Sequence, residues 1–463
     1  MENCYMDEKK LLEKFKAKSE DAKREHNERL NDIRDNFQID RDRILYSNSF
    51  RRLSGKTQVF VSGYRDHIRT RLTHTLEVVQ IATTISEYLG LNATLTEAIA
   101  LGHDIGHTPF GHAGEKELNR ILGNSKDIDL KYSFAKDYNK DLKGFKHNWQ
   151  GIRILTDLEK VYKDFNGLNI TDKTLWGILH HTDIKSKDPE VLYSFYLNCF
   201  AKESNDFNFL DSYSLEAHVV KLADEIAQRH HDVEDALYAG IIDEKDIEKE
   251  FLNCFKSIYT EDDLKKKEEK YCKGSITKVI VGFYVESLIK SIKIRIRELG
   301  IKDGATNITR DQGEKIISFS EDFKEADETF KIMLKDMILH SHLAEVMDGR
   351  SSFIIRKLMK AYLSNIMQLP DDGILSFLRH IISQEDYNNL VKDLNDGSTR
   401  LLPRQIRSIL KEKYIESKDV SDKSVLNNPY LLRTIADYIS GMTDKYATDQ
   451  FNMLYGSKEV STL

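Results

Sequence analysis

Residues 101–115, LGHDIGHTPFGHAGE, hold three histidines, two acids and four glycines. An imidazole and a carboxylate stand side by side at His103 and Asp104. Two further candidate ligands lie elsewhere in the chain: His74, 29 positions upstream of His103, and Asp224, 120 positions beyond Asp104. Two His and two Asp make a nitrogen and oxygen donor set that holds a divalent ion and leaves coordination positions for water and phosphate. In a helix, neighbouring side chains point about 100° apart, so His103 and Asp104 reach one ion only if it sits against the edge of their helix. His74 and Asp224 must then arrive from other helices.

A second chemistry-bearing group follows the pair. His107, His112 and Glu115 stand 4, 9 and 12 positions after His103. Pro109 argues against one unbroken helix through all of them, and the glycines favour a tight turn. His112 and Glu115 are three apart, so a new helical turn brings them into contact. A carboxylate orients an imidazole and raises its pKa, which suits proton transfer near neutral pH. Arg71 precedes His74 by three residues, and its guanidinium suits a polyphosphate oxygen near the ion. Asp224, Gln228 and Asp232 recur every four residues along one helix face, a stripe about 12 Å long. His180 and His181 invite comparison with a second metal site, but Leu175, Trp176 and Ile178 around them favour packing.

The elements that must position these groups read as helices. The 463 residues include only 5 prolines, and hydrophobic residues make up 40% against 31% charged. That balance favours long helices and a large buried core, in two lobes or one body. The net charge of −7 gives no global basic field for nucleic acid. Cys4, Cys199, Cys254 and Cys272 are widely spaced and read as reduced thiols, which points to the cytoplasm. Without an apolar leader core or a run of eighteen apolar residues, neither secretion nor membrane spanning is expected.

Along the chain, residues 1–36 predict an exposed helical arm. Residues 56–68 predict a short β-hairpin, the one place where sheet is expected. Helices are expected over most of 69–122, near 147–158 and 174–181, over 214–238, and at about 277–299, 313–346, 351–367, 373–380 and 429–455. Residues 123–146 read as a polar insertion, and the Lys/Glu/Asp-rich stretch at 240–270 as a boundary. The division is an arm (1–36), a core (37–245) and a C-terminal helical region (246–463) that completes a nucleotide pocket and oligomer contacts.

The longer motifs carry a family resemblance. His74, His103-Asp104 and Asp224 look like the signature of HD-domain phosphohydrolases. The segments DRDRILYSNSFRRL (40–53), KTQVF (56–60), HIRTRLTH (67–74), ADEIA (223–227) and DYISGMTDKYA (437–447) resemble bacterial dGTP triphosphohydrolases and their dNTPase relatives. The resemblance spans about residues 35–455 and is weak at 123–146 and 240–340. It implies an all-α HD fold. It also implies hydrolysis of dNTPs, dGTP among them, to deoxynucleoside and inorganic triphosphate by water attack at the α-phosphorus. One divalent ion, Mn²⁺ or Mg²⁺, would sit on His74, His103, Asp104 and Asp224. His112 and Glu115 match the family's proton-handling pair, and Arg71, His107 and His147 its phosphate contacts. Gln58 and Asp232 match sugar-contacting positions. Relatives often carry Tyr where this chain has Gln228, so the sugar-selection argument does not carry over there. The resemblance further implies a homo-oligomer, dimer or hexamer, with a dNTP or single-stranded DNA effector. The residues alone leave open an HD phosphodiesterase or nucleotidase, and a nucleotide-sensing or single-stranded DNA-binding protein with little turnover.

Overall fold

The computed structural model describes residues 12–28, 33–57, 69–123, 144–182, 212–260, 276–299, 308–339, 342–395, 402–412 and 429–456. These residues are helical with no sheet. In chain order the principal helices are α1 (Asn36–Leu45), α2 (Arg71–Leu89), α3 (Ala93–Gly102), α4 (Gly111–Leu122), α5 (His147–Arg153), α6 (Asp172–Leu179), α7 (Leu215–Ala239), α8 (Glu244–Phe255) and α9 (Ile276–Glu298). They continue with α10 (Arg310–Ile316), α11 (Glu321–Leu339), α12 (His342–Ser364), α13 (Asp371–Leu378), α14 (Gln384–Asn395), α15 (Leu402–Leu410), α16 (Pro429–Ser440) and α17 (Asp444–Tyr455). The expected hairpin falls mostly on residues 58–68, outside the described ones. Thr57 and Thr70 on either side of that gap form an isolated antiparallel bridge.

The chain divides into two compact units. The first comprises residues 1–106, 148–190 and 196–347. Its centre is α7 against α2 and α3. Val78, Ile81, Ala82 and Ile85 of α2 and Val219, Ala223, Ile226 and Ala227 of α7 are buried at helical spacing. Burial of each Val or Ile side chain here contributes roughly 1.5–3 kcal/mol. The helix ends are set locally. Asp35 caps α1 by accepting from Phe37 and Gln38 N–H, while Gln38 accepts in return from Asp35 N–H. Asn92 caps α3, and Gly90 ends α2 in the left-handed region at φ 74°.

Two buried carboxylates tie loops to this unit. Asp40 accepts from Arg24, from Thr171 twice and from Thr174. Glu216 accepts from the backbone N–H of Ala17 and Asn92. These contacts differ from the expected exposed helical arm: residues 12–28 are mostly non-helical, with a 3-10 turn at Ser19–Asp21. Leu12 and Ala17 are buried, because the arm's few apolar residues and cap acceptors outweigh its charge.

The second unit comprises residues 107–147, 191–195 and 348–463. Its core joins Leu118, Ile121 and Leu122 of α4 to Ile355, Leu358 and Tyr362 of α12 and to Leu432, Ile435 and Ile439 of α16. The single helix expected over 429–455 is broken between α16 and α17, where Thr443 caps α17 by accepting from Tyr446 N–H. Among the described residues, no helix is long and apolar enough to cross a membrane.

Candidate metal centre and acid–base group

In the first unit, α2 supplies His74, the end of α3 supplies His103 and Asp104, and α7 supplies Asp224. Gly102 lets the α3 end pack closely on Ile178, whose Cδ1 would lie 2.4 Å from a Cβ there. The four side chains converge. His74 Nε2 lies 3.0 Å from Asp224 Oδ1, 3.4 Å from His103 Nε2 and 3.8 Å from Asp104 Oδ2. His103 Nε2 lies 3.6 Å from Asp104 Oδ1 and 3.7 Å from Asp224 Oδ1. Donors sharing an ion at about 2.1 Å stand roughly 3.0 Å apart at right angles and 3.4 Å apart at the tetrahedral angle. His74, His103 and Asp104 therefore fit a divalent cation, and Asp224 lies within the same range of both imidazoles.

The outer nitrogens agree with that fit. His103 Nδ1–H donates to Ala100 O at 2.6 Å, leaving Nε2 as the lone-pair nitrogen that faces the other donors. His74 Nδ1 is likewise turned outward, 3.0 Å from His231 Nδ1. Burial would raise Asp224, but the His74 hydrogen bond and the nearby His103 and His74 hold it well below the usual carboxylate range.

Arg71 opens α2 and is 1% exposed. Its Nη1 donates to Asp104 Oδ2 at 2.8 Å, while Nε and Nη2 have no partner among the described residues. A buried guanidinium with two open donors beside a metal donor set suits an oxyanion. A cleft of about 580 Å³ within the same unit is lined by Asp224, Gln228, Lys221, Lys324 and Lys331, among others. Arg229, also at its wall, is held in a fork by Asp327 at 2.9 and 3.1 Å. Asp232 is half-buried further along α7. Gln58 lies outside the described residues.

The second unit brings together His107, His112, Glu115 and His147, the candidate acid–base group. Phe110 and Gly111 take left-handed φ of 63° and 57°. The chain turns there and restarts as α4. Phe110 N–H donates to the buried Asp444 at 2.8 Å, so the C-terminal motif holds the turn before His112. His112 Nδ1 is 3.8 Å from Glu115 Oε2, and His147 Nδ1 is nearer, at 2.9 Å from the same oxygen. His107 stacks on His147 with centroids 3.8 Å apart. Burial would raise Glu115. His147, through charge and hydrogen bond, together with His112 and His107, holds it far below its ordinary value instead. Glu115 is thus an ionised acceptor for His147, with His112 within ion-pair reach of the same oxygen, an arrangement that spacing alone did not suggest for His147.

His180 and His181 do not form a second cluster. His180 stacks on Trp176 and bonds to its carbonyl. His181 is buried, its Nδ1–H donates to Ile178 O, and its ring lies 5.2 Å from that of His103. Two residues were missed altogether: His231, seven beyond Asp224, and Glu77, three beyond His74. Both spacings return to the same helix face as a ligand, which was the signal available.

Comparison with known proteins agrees with this geometry. Residues 71–229 match the HD domain family, and residues 388–453 match the phosphohydrolase-associated domain. The chain is 33% identical to a deoxyguanosinetriphosphate triphosphohydrolase-like protein of Clostridium tetani over 96% of its own length and 93% of the relative's. Proteins of the same description from Rickettsia felis and Geobacter sulfurreducens are 31% and 30% identical, over 91% and 93% of this chain and 92% and 91% of theirs. With its histidine and aspartate donors converged as such an enzyme needs, the chain belongs to the HD-domain dNTP triphosphohydrolase family of metal-dependent phosphohydrolases.

Proposed function

We propose that the protein hydrolyses deoxynucleoside triphosphates, dGTP among them, to deoxynucleoside and inorganic triphosphate. The observation that carries this reading is the buried Arg71, with two open donors, bonded to a carboxylate of the metal donor set. Such a guanidinium suits the anionic oxygens of a phosphate chain. When bound, a divalent ion, Mn²⁺ or Mg²⁺, polarises the phosphoryl oxygen and lowers the pKa of water. His74, His103, Asp104 and Asp224 would hold it.

The remaining residues take the other roles. Arg71 binds phosphate oxygens, with His107 and His147 as further phosphate contacts. His112 and Glu115 handle the proton exchanged between water and the leaving 5′ oxygen. Gln228 and Asp232 meet the sugar, with Gln58. In the balanced reaction, water oxygen bonds to the α-phosphorus, the bond from α-phosphorus to the 5′ oxygen breaks, and the 5′ oxygen leaves protonated.

The same reading makes the protein a cytoplasmic homo-oligomer regulated by a dNTP or single-stranded DNA. The test is a panel of single and mixed dNTPs with Mn²⁺ or Mg²⁺, followed by chromatography. Stoichiometric deoxynucleoside and triphosphate support the proposal. Orthophosphate as the only inorganic product overturns it in favour of a nucleotidase.

A further inference from the structure

His231 and Glu77 stand behind the metal donors and belong to none of the roles above. His231 is 0% exposed on α7. Its Nδ1 lies 3.0 Å from His74 Nδ1, and its Nε2 lies 2.5 Å from Glu77 Oε2. The His74 and His231 rings meet edge to face, 4.9 Å apart. Glu77 is one turn beyond His74 on α2, so one helix grips the imidazole of another at both nitrogens. Arg69 Nη2 pairs with the other Glu77 oxygen at 3.0 Å and also with Glu234.

Only one distribution of protons satisfies this chain with His74 serving as a ligand. The Nε2 lone pair of His74 faces the donor set, so its proton is on Nδ1. That proton is donated to His231 Nδ1, which must then be the bare nitrogen. His231 therefore carries its proton on Nε2 and donates it to the Glu77 carboxylate. The opposite polarity would need Glu77 to donate, whereas its other oxygen already pairs with Arg69. His103, by contrast, ends one bond away at the neutral carbonyl of Ala100. The two ligand histidines are thus set up differently, and the outer partner of a metal-bound imidazole fixes its tautomer and raises its basicity.

We propose that His231 and Glu77 are positioning residues that hold His74 in its metal-binding tautomer and set the affinity of the centre through that one ligand. The proposal rests on the metal-centre reading, not on which phosphate compound is cleaved. Glu77, His230 and His231 also cluster closely enough to suggest a separate cation site. The geometry favours the relay. The 2.5 Å between His231 Nε2 and Glu77 Oε2 is a hydrogen-bond separation, shorter than the roughly 3 Å between ligands of one ion. His230 Nδ1 approaches the same oxygen at 3.3 Å without hydrogen-bond geometry.

The test is Mn²⁺ titration of the full-length apo-protein by calorimetry, with the apo melting temperature as a check on folding. Wild type is expected to bind one ion per chain at this centre. His231→Phe removes both bonds and should weaken Mn²⁺ about 10–100-fold. Glu77→Gln keeps an acceptor but removes the charge, so the loss should be smaller, and His231→Gln, which can still accept from His74, should recover part of it. Should His231→Phe fail to fold, Glu77→Gln decides, since the Glu77 side chain is 35% exposed and its loss leaves the core intact. Folded variants that bind Mn²⁺ within twofold of wild type overturn the relay while leaving the metal centre standing. A second ion in wild type that disappears in the Glu77 variant overturns it in favour of a separate cation site. A wild-type chain that binds no divalent ion removes the metal centre itself and this proposal with it.

Discussion

The two histidine groups meet solvent very differently. In the first unit His74, His103 and Asp104 are buried, and each imidazole has its outer nitrogen committed to a fixed partner. In the second unit His112 leaves 67% of its side chain exposed above a Glu115 that is 8% exposed. A metal ligand gains from a fixed tautomer and exclusion of competing water. A proton carrier needs access to the solvent that takes up or supplies its proton. On the proposed reading the difference is a division of labour: one group would hold an ion still, and the exposed His112 of the other would change protonation.

The sharpest way to break that division is to remove one residue from each side. Asp104→Ala takes away a donor and the Arg71 partner together. Turnover should fall by more than about 10⁴-fold, the upper end of what one acid–base group supplies, and Mn²⁺ affinity should fall with it. His112→Ala should lower kcat by about 10²–10⁴-fold with Mn²⁺ affinity unchanged. Metal titration beside steady-state rates checks both, and a parallel loss of affinity in His112→Ala would erase the distinction. Arg71→Lys keeps the charge but removes the fork. It should lower kcat/KM by about 10–100-fold, the worth of a charged hydrogen bond.

Asp444 sharpens the comparison from the second unit. Asp444→Ala leaves Phe110 N–H buried without its acceptor, at a cost of about 1–3 kcal/mol. Urea unfolding should register that loss, and kcat should fall through a loosened His112 turn while Mn²⁺ binding persists.

A pH dependence of stability is also expected in the first unit. Burial, assisted by the Lys221, Arg310 and His180 charges against Glu314, pushes His218 down to about 4. Its folded pKa lies below the unfolded value near 6.5, so the unfolded chain binds more protons. His218 therefore costs stability as pH falls from about 6.5 towards 4, by about 1.4 kcal/mol per pH unit. Burial also pushes Glu225 and Asp235 up to about 7. These carboxyls bind protons in the folded state, so they contribute stability at low pH that is lost as pH rises through about 7. The opposing slopes make a wild-type melt alone uninformative. Urea unfolding of wild type and His218→Gln at pH 7, 6 and 5 isolates the histidine, and the variant should gain relative to wild type at each step down.

Much of this was legible because the residue types are chemically committed. Types and motifs singled out His74, His103, Asp104 and Asp224, which the fold brings together, and backbone chemistry singled out the break at Pro109. The long α7 followed from the spacing of Leu215, Val219, Leu222 and Ile226. What stayed hidden depends on tertiary approach. The nearer partner of Glu115 is His147, 32 residues away, and Asp444 reaches Phe110 across 334. His231 carried no reading from sequence, and its contact with His74 exists only once α2 is laid against α7. The arm's helix was misread, because Glu216 and Asp40 bind its backbone and its Arg24 along a mostly non-helical path, although only Leu12 and Ala17 of residues 12–28 are buried.

Hydrolysis of dGTP in ¹⁸O-labelled water tests the central claim most directly. Attack of water at the α-phosphorus predicts one labelled oxygen in the released triphosphate and none in the deoxynucleoside. Label in the deoxynucleoside, or in an orthophosphate or pyrophosphate product, would contradict it.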